Sequence, residues 1–315
     1  MSQQRYQVIN DKIREKFRRL PERDGEARVQ LAWAGWMFGA EAMPCGLARL
    51  AEAGMSFVEL GGAHHGPDTG PNAAAIDAML NESGIACSGV ACLMNEDYDL
   101  SSANPARRQA AIDYVRREIA FAQRIGAAYV SLTPSSGGTG GQRSAARAAQ
   151  ALRVLGDEFV QAGIACAVAP SRPFDEGVAH TLAETQAFLR EVDHPGIRAL
   201  SADTFDMQSA EKHVAQAVIG GAPALINLHL SDRHRGALGE ASFDVDILIM
   251  GLYIMGYQHG RRFVTFNPIG PSARPFAMSE RLPDAARMDR LVHDTARYFR
   301  QREEIVLAQE KQGHA

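Results

Sequence analysis

Short apolar runs alternate with longer amphipathic stretches along nearly the whole chain. VQLAWAG from Val29, MSFVELGG from Met55, IACSGVAC from Ile85 and AAYVSLTP from Ala127 read as buried strands. Four more follow: IACAVAP from Ile164, IRALSAD from Ile197, LINLHLS from Leu225 and RFVTFNP from Arg262. Between them, PARRQAAIDYVRREIAFAQRIG and AARAAQALRVLGDEFVQAG have helical character and end at Gly126 and Gly163, residues suited to stop a helix. Eight strand–helix repeats without a Pro/Gly-rich linker predict an α/β fold, a parallel eight-stranded sheet closed as a (β/α)8 TIM barrel. A doubly wound open sheet is the alternative. Residues 1–28 read as an N-terminal helical extension. Residues 29–315 read as the barrel, with a long charged helix from Asp284 to about Gln309 placed outside it or against another subunit.

A barrel turns position into a rule, because its chemistry sits on the loops that follow the strands. Strand alternation then selects the inward side chains. In LINLHL the aliphatics Ile226, Leu228 and Leu230 are expected to face the helices, leaving Asn227 and His229 inside. The same alternation turns Ser201 and Asp203, Thr265 and Asn267, and Ala165, Ala167 and Ala169 inward. One mouth of the barrel should therefore carry Ala169, Asp203, His229 and Asn267.

Composition narrows the partners more than the fold. The 315 residues are 46% hydrophobic and 22% charged, ordinary for a globular chain, and a formal charge of −4 argues against a nucleic-acid footprint. No apolar run is long enough to span a membrane, and the charged N-terminus lacks a secretory apolar region, so a cytoplasmic location is expected. Cys45, Cys87, Cys92 and Cys166 form no C-x-x-C pair and read as reduced, buried thiols.

Six pieces in order carry a resemblance: ELGGAHHGPDTG, DLSSANPARRQAAIDYVRREIAFA, HTLAETQAFL, DHPGIRALSADTFDMQSAE, NLHLSDRHRGALG and VTFNPIGP. Over most of its length, from Val29 to Arg302, the chain resembles the xylose-isomerase-like barrels, which include sugar isomerases, sugar epimerases and lyases. Within them it looks most similar to the barrel subunit of bacterial C-glycoside deglycosidases. That resemblance implies a divalent ion held by Glu, Asp, His and Glu from strands five to eight, polarising a carbonyl while the carboxylates move protons. Carried over, Asp203 and His229 match. The two glutamates fall on Ala169, which has no donor, and on Asn267, which has a neutral amide. A histidine common three residues after the aspartate falls on Asp206. The set loses two negative charges, so the expectation is a chain working without a cofactor. The alternative is weakly held Mn2+ or Mg2+ on Asp203, His229 and Asn267.

Several side chains remain for chemistry. Asp203, Asp206, His229 and His64 are the candidate catalytic groups, with Asp206 and His229 as an acid–base pair. Two close carboxylates can separate their pKa values and leave one as an acid. A second reading makes Asp206 a cap of the helix SAEKHVAQAVIGG. Candidate substrate contacts are Arg172, His180, Asp232, His234, Arg235, Asn267, Trp36 and His65, the arginines suited to oxygen-rich ligands. PSSGGTGG, from Pro134, lacks the ending of a phosphate loop and reads as a lid or bend. Trp33, Trp36 and Phe38 read as core or as an apolar wall. Met94 and Tyr98 are placed at the pocket's edge. The function expected is proton transfer, as isomerisation, cyclisation or elimination, on a sugar-like or glycosylated aromatic molecule. Two alternatives stand: a non-catalytic scaffold subunit of a deglycosidase-like complex, and a divalent-metal sugar isomerase or epimerase. A homodimer or a small partner subunit is expected.

Overall fold

The computed structural model describes residues 3–20, 27–135, 142–232, 235–240, 243–268 and 284–312. Its strands are β1 (Gln30–Ala34), β2 (Phe57–Gly62), β3 (Ala86–Cys92), β4 (Tyr129–Leu132), β5 (Ala165–Val168), β6 (Ala199–Asp203), β7 (Leu225–Leu230) and β8 (Phe263–Phe266). All neighbours pair in parallel, and β1 pairs with β8 to close the barrel. The described helices are α1 (Gln3–Arg18), α2 (Met43–Glu52), α3 (Ala73–Ser83), α4 (Pro105–Arg124), α5 (Gln142–Ala162), α6 (Leu182–Val192), α7 (Thr204–Ala210), α8 (Val214–Gly220), α9 (Val245–Ile254) and α10 (Ala285–Gln312). Gly126 and Gly163, just past α4 and α5, have φ of 69° and 66°, the left-handed conformation that ends a helix cheaply in glycine.

Two apolar clusters follow from strand alternation. Leu31, Trp33, Val58, Val90, Val168, Leu200, Leu228 and Val264 belong to the large core that also takes in the helices. Ala32, Ala128, Tyr129, Ala167 and Phe263 form a separate small cluster joined by Phe57, Ala165, Ala199 and Ile226. Ile226 thus corrects the simple alternation. The pairing of β6 with β7 slips between Leu200 and Ser201, so Leu200 pairs with Leu225 and Ser201 with Asn227. The slip skips Ile226, which joins the small cluster while Asn227 stays inside.

The terminal helices lie on the barrel wall. Phe17 of α1 meets Tyr253 of α9 edge-on, and Phe299 of α10 meets Phe266 of β8 in the same way. His213 caps α8 by accepting from the Gln216 amide at Nδ1, so its Nε2 carries the hydrogen donated to Asn10 of α1, 2.8 Å away. The cysteines are free; Cys87 and Cys166 are buried as expected, but Cys45 is exposed and Cys92 half-buried. None of the described helices is long and apolar enough to cross a membrane.

Close packing inside the barrel is tightest at Gly89 of β3, where an added methyl carbon would lie 2.2 Å from the Tyr129 ring. Gly89→Ala is therefore expected to destabilise the fold by about 1–3 kcal/mol, read from the urea midpoint of unfolding. An unchanged midpoint would show that Tyr129 has room to move.

Candidate functional site

The site is built upward from a charge sealed inside the barrel. Glu59 is the third residue of β2, in FVELGG, and is fully buried. Its Oε1 accepts from the Tyr129 hydroxyl at 2.9 Å, the Asn227 amide at 3.1 Å and the Ser131 hydroxyl at 3.4 Å. Its Oε2 meets Nε2 of His229 in a short contact. Asn227 is fixed in turn, because its Oδ1 accepts from Thr265 at 2.7 Å and its amide nitrogen also reaches Ser201 at 3.2 Å. This network was absent from the sequence expectations. Its one signal was a charged residue inside an otherwise apolar strand.

Above it, Asp203 ends β6 and divides its oxygens. Oδ1 accepts from the Phe205 amide and caps α7, while Oδ2 accepts from the Asn267 amide at 2.9 Å. Arg235 brings Nη1 to 3.0 Å from the same Oδ2 and Nη2 to 3.8 Å from Asp206, with its guanidinium 4.6 Å over the Phe205 ring. Cation and ring together fix the arginine in a desolvated position. The backbone of Arg235 is left-handed at φ 56°, in a loop that Asp232 organises. The Asp232 carbonyl accepts from the Arg235 amide and its Oδ2 from the Gly239 amide, and its own amide donates to the Gly236 carbonyl. Asp206 sits in the first turn of α7, not at a cap. Asp203 caps α7 and His213 caps α8, which corrects the capping role expected of Asp206.

Asp203 and Asp206 open onto a cavity of about 440 Å³, whereas Arg235 and Asn267, expected as substrate contacts, stand behind them outside its lining. Ala169, Ser201, Asp203, Asp206 and His229 line it, as do Arg172, Asp175 and His180 from the segment after β5. Trp36 stands edge-on to His229, with centroids 5.8 Å apart, and with Leu93, Met94 and His65 supplies the less polar wall. Trp33 lies instead in the large core. His65 stacks on Tyr114 at 4.4 Å and bonds the Leu93 carbonyl. Tyr98 stands behind it, donating its hydroxyl to the His65 carbonyl at 2.7 Å. His180 holds the Arg172 carbonyl through Nδ1 and starts the capped approach to α6. His64 does not join them. Its ring is held by the buried Glu118 carboxylate on α4 and by the Pro71 carbonyl, a loop-anchoring arrangement. Asp232 is buried in its loop and does not line the cavity. His234 and residues 136–141 of the PSSGGTGG stretch lie outside the described residues.

Electrostatics separates the titrating groups. Burial, followed by the charge of Asp203, pushes the Asp206 carboxyl up to about 6, against the opposing pull of Arg235, Arg172 and His229. For His229 burial pushes downward, but the charge and hydrogen bond of Glu59, with Asp203, outweigh it and the net shift is upward. Among the described residues no three His, Cys, Asp or Glu side chains converge as a metal site, so a third donor must come from elsewhere. Asn267 supplies one: its Oδ1 is buried with no hydrogen-bond partner among the described residues. Asp203, His229 and this amide oxygen are of the donor types that would hold a divalent ion, with two fewer charges than the four-ligand pattern and with Arg235 competing for Asp203.

A carboxyl whose folded pKa is raised favours the fold below its unfolded pKa and loses that contribution as pH rises through the folded value. Asp206 should therefore take up to roughly 3 kcal/mol from stability between about pH 4 and pH 6. The decline should be absent in Asp206→Asn. Urea unfolding of both proteins across that interval checks it, and parallel pH curves would refute the assignment.

Comparison with known proteins places this site in a family. A family model described as xylose isomerase-like TIM barrel matches residues 47–263. The ketose 3-epimerase of Arthrobacter globiformis is 25% identical over 252 residues, covering 75% of this chain and 82% of that protein. An L-ribulose 3-epimerase of Mesorhizobium japonicum is 26% identical over 177 residues, 54% of this chain and 59% of its own. Among solved structures, an L-ribulose 3-epimerase superposes with a TM-score of 0.78 at 18% identity, covering 91% of this chain and 99% of that one. A D-allulose 3-epimerase from Methylomonas sp., solved with D-allulose, superposes with a TM-score of 0.75 at 20% identity, covering 88% and 98%. These relatives support an enzyme of the sugar isomerase/epimerase type. They do not show the expected closeness to C-glycoside deglycosidases. They also overturn the expectation of a chain without a cofactor, because its relatives are sugar epimerases of the barrel type that the resemblance ties to a divalent ion. This chain belongs to the xylose isomerase-like TIM barrel family.

Proposed function

We propose that the protein is a sugar epimerase or isomerase that moves a proton at the carbon beside the carbonyl of a ketose. The observation that carries this reading is the Asp206 carboxyl, held near neutral pKa on the wall of a cavity shared with Asp203 and His229. A base at that pKa accepts a proton at neutral pH and returns it without a large penalty in either direction. Asp206 takes the proton from carbon, and the electron pair passes into an enediolate. Asp206 returns the proton to the adjacent carbon to give the isomer; for the epimer, a water in the cavity delivers a proton to the opposite face and Asp206 passes its own to solvent. Arg172 and His180 at the rim donate to sugar hydroxyls, and Trp36 covers the less polar face of the ring or chain. Asp203, His229 and Asn267 are the residues that would hold a divalent ion. When bound, the ion supplies charge to stabilise the developing oxyanion.

A second reading, elimination from a keto sugar, draws on one observation. Ala169 lines the cavity and Asn267 bonds Asp203, and neither can accept a proton. A reaction that needs a single base fits such a wall as well as epimerisation does.

Incubation with L-ribulose or D-allulose in deuterated water, with Mn2+ supplied, is expected to place deuterium on the carbon next to the carbonyl and to yield an epimer. Asp206→Asn should slow this by about 100-fold or more. Unexchanged ketoses would reject the proposal, and loss of water without an epimer would select elimination. Calorimetric titration of Mn2+ into the chelator-treated protein should show one site, lost in Asp203→Ala and tightened in Asn267→Glu, which restores a charge. Equal binding by all three proteins would place the ion elsewhere.

A further inference from the structure

Glu59 does not line the cavity, but two of its partners, Ser131 and His229, do. Its two oxygens are used differently. Tyr129, Asn227 and Ser131 converge on Oε1, and His229 alone of these meets Oε2. Asn227 is not turned over, because its oxygen would then face the Glu59 carboxylate, which has no hydrogen to give it, whereas as placed it accepts from Thr265. Its amide nitrogen stands 3.3 Å from His229 Nε2, but its two hydrogens already have Glu59 and Ser201 as acceptors. Oε1 accepts from three donors, and Oε2, accepting likewise, leaves the imidazole nitrogen that faces it to carry a hydrogen. A neutral ring protonated at Nε2 has its lone pair on Nδ1.

We infer that Glu59 is a positioning residue that fixes this tautomer, so that His229 presents the Nδ1 lone pair to the occupant of the cavity. The inference refines the part His229 plays in the proposed function, but it does not depend on which sugar is converted. Partners of a ligand-binding histidine that orient the ring and fix its tautomer are worth about 10–100-fold in affinity or activity when removed.

Glu59→Gln makes the idea sharp, because the new side chain has the same shape and only one acceptor. Its oxygen must stay where three donors converge, which turns its amide hydrogens toward Nε2. His229 then has to accept at Nε2 and carry its hydrogen on Nδ1. The test is nitrogen NMR of the full chain labelled with 15N-histidine, at a pH above the titration of the ring. The ten histidines are reduced to one assignment by the signal lost in His229→Gln. Wild-type protein should show a hydrogen-bearing Nε2 and a bare Nδ1, and Glu59→Gln the reverse. A wild-type ring protonated at Nδ1 overturns the inference, as does a folded Glu59→Gln with the wild-type pattern. If Glu59→Gln fails to fold, the wild-type spectrum decides alone. Where L-ribulose is turned over, the variant should lose about 10–100-fold in kcat with a smaller change in KM. Absence of turnover in both proteins would count against the proposed function and leave the spectra to judge the tautomer.

Discussion

A carboxylate sealed from water must find in the protein the donors it gave up, and the interior of this barrel is arranged around that demand. Glu59 on β2 draws in Tyr129 and Ser131 from β4 and Asn227 and His229 from β7. Asn227 extends the set to Ser201 on β6 and Thr265 on β8. Five of the eight strands are thereby tied across the lumen by polar contacts, above a small apolar cluster of Phe57, Phe263 and alanines. Every later feature of the site stands on that layer. His229 reaches the cavity from it, and Asp203 and Asn267 continue β6 and β8 one step further toward the open end.

The barrel was legible because its signals are local and repeated. Apolar runs recur eight times with helical stretches between them, two of these ending at a glycine, and an error in one repeat does not spoil the count. Alternation also placed Asn227, His229, Ser201, Asp203, Thr265 and Asn267 correctly, since a strand offers only two sides. It failed at Ile226, where a slip in pairing with β6 breaks the period of two. Longer-range facts were hidden. Nothing near His64 in sequence announces that Glu118, on a different element, binds its ring. Asp206 resembled a helix cap because the chain between β6 and β7 was read as one helix, whereas it makes two, each with its own cap. Glu59 was the missed clue: a charge within an apolar strand requires a partner, and no neighbour in sequence supplies one.

The mouth of the barrel differs from the four-ligand pattern in where its charge resides. In that pattern the negative charges belong to side chains that face the ion. Here Asp203 and Asp206 share Arg235, a permanent cation seated on Phe205 and delivered by a loop that Asp232 holds in shape. The similarity to ketose 3-epimerases therefore coexists with a different electrostatic balance at the mouth of the barrel. A raised carboxyl pKa at Asp206 follows from that balance, because burial and Asp203 outweigh the guanidinium.

Asp203 has a mechanical part as well as a chemical one. One of its oxygens anchors the first turn of α7, and the other faces Asn267 and Arg235. The helix it anchors carries Asp206 three residues on. The two carboxylates are thus set at a spacing that the first turn of α7 holds, so the position of one is inherited from the other.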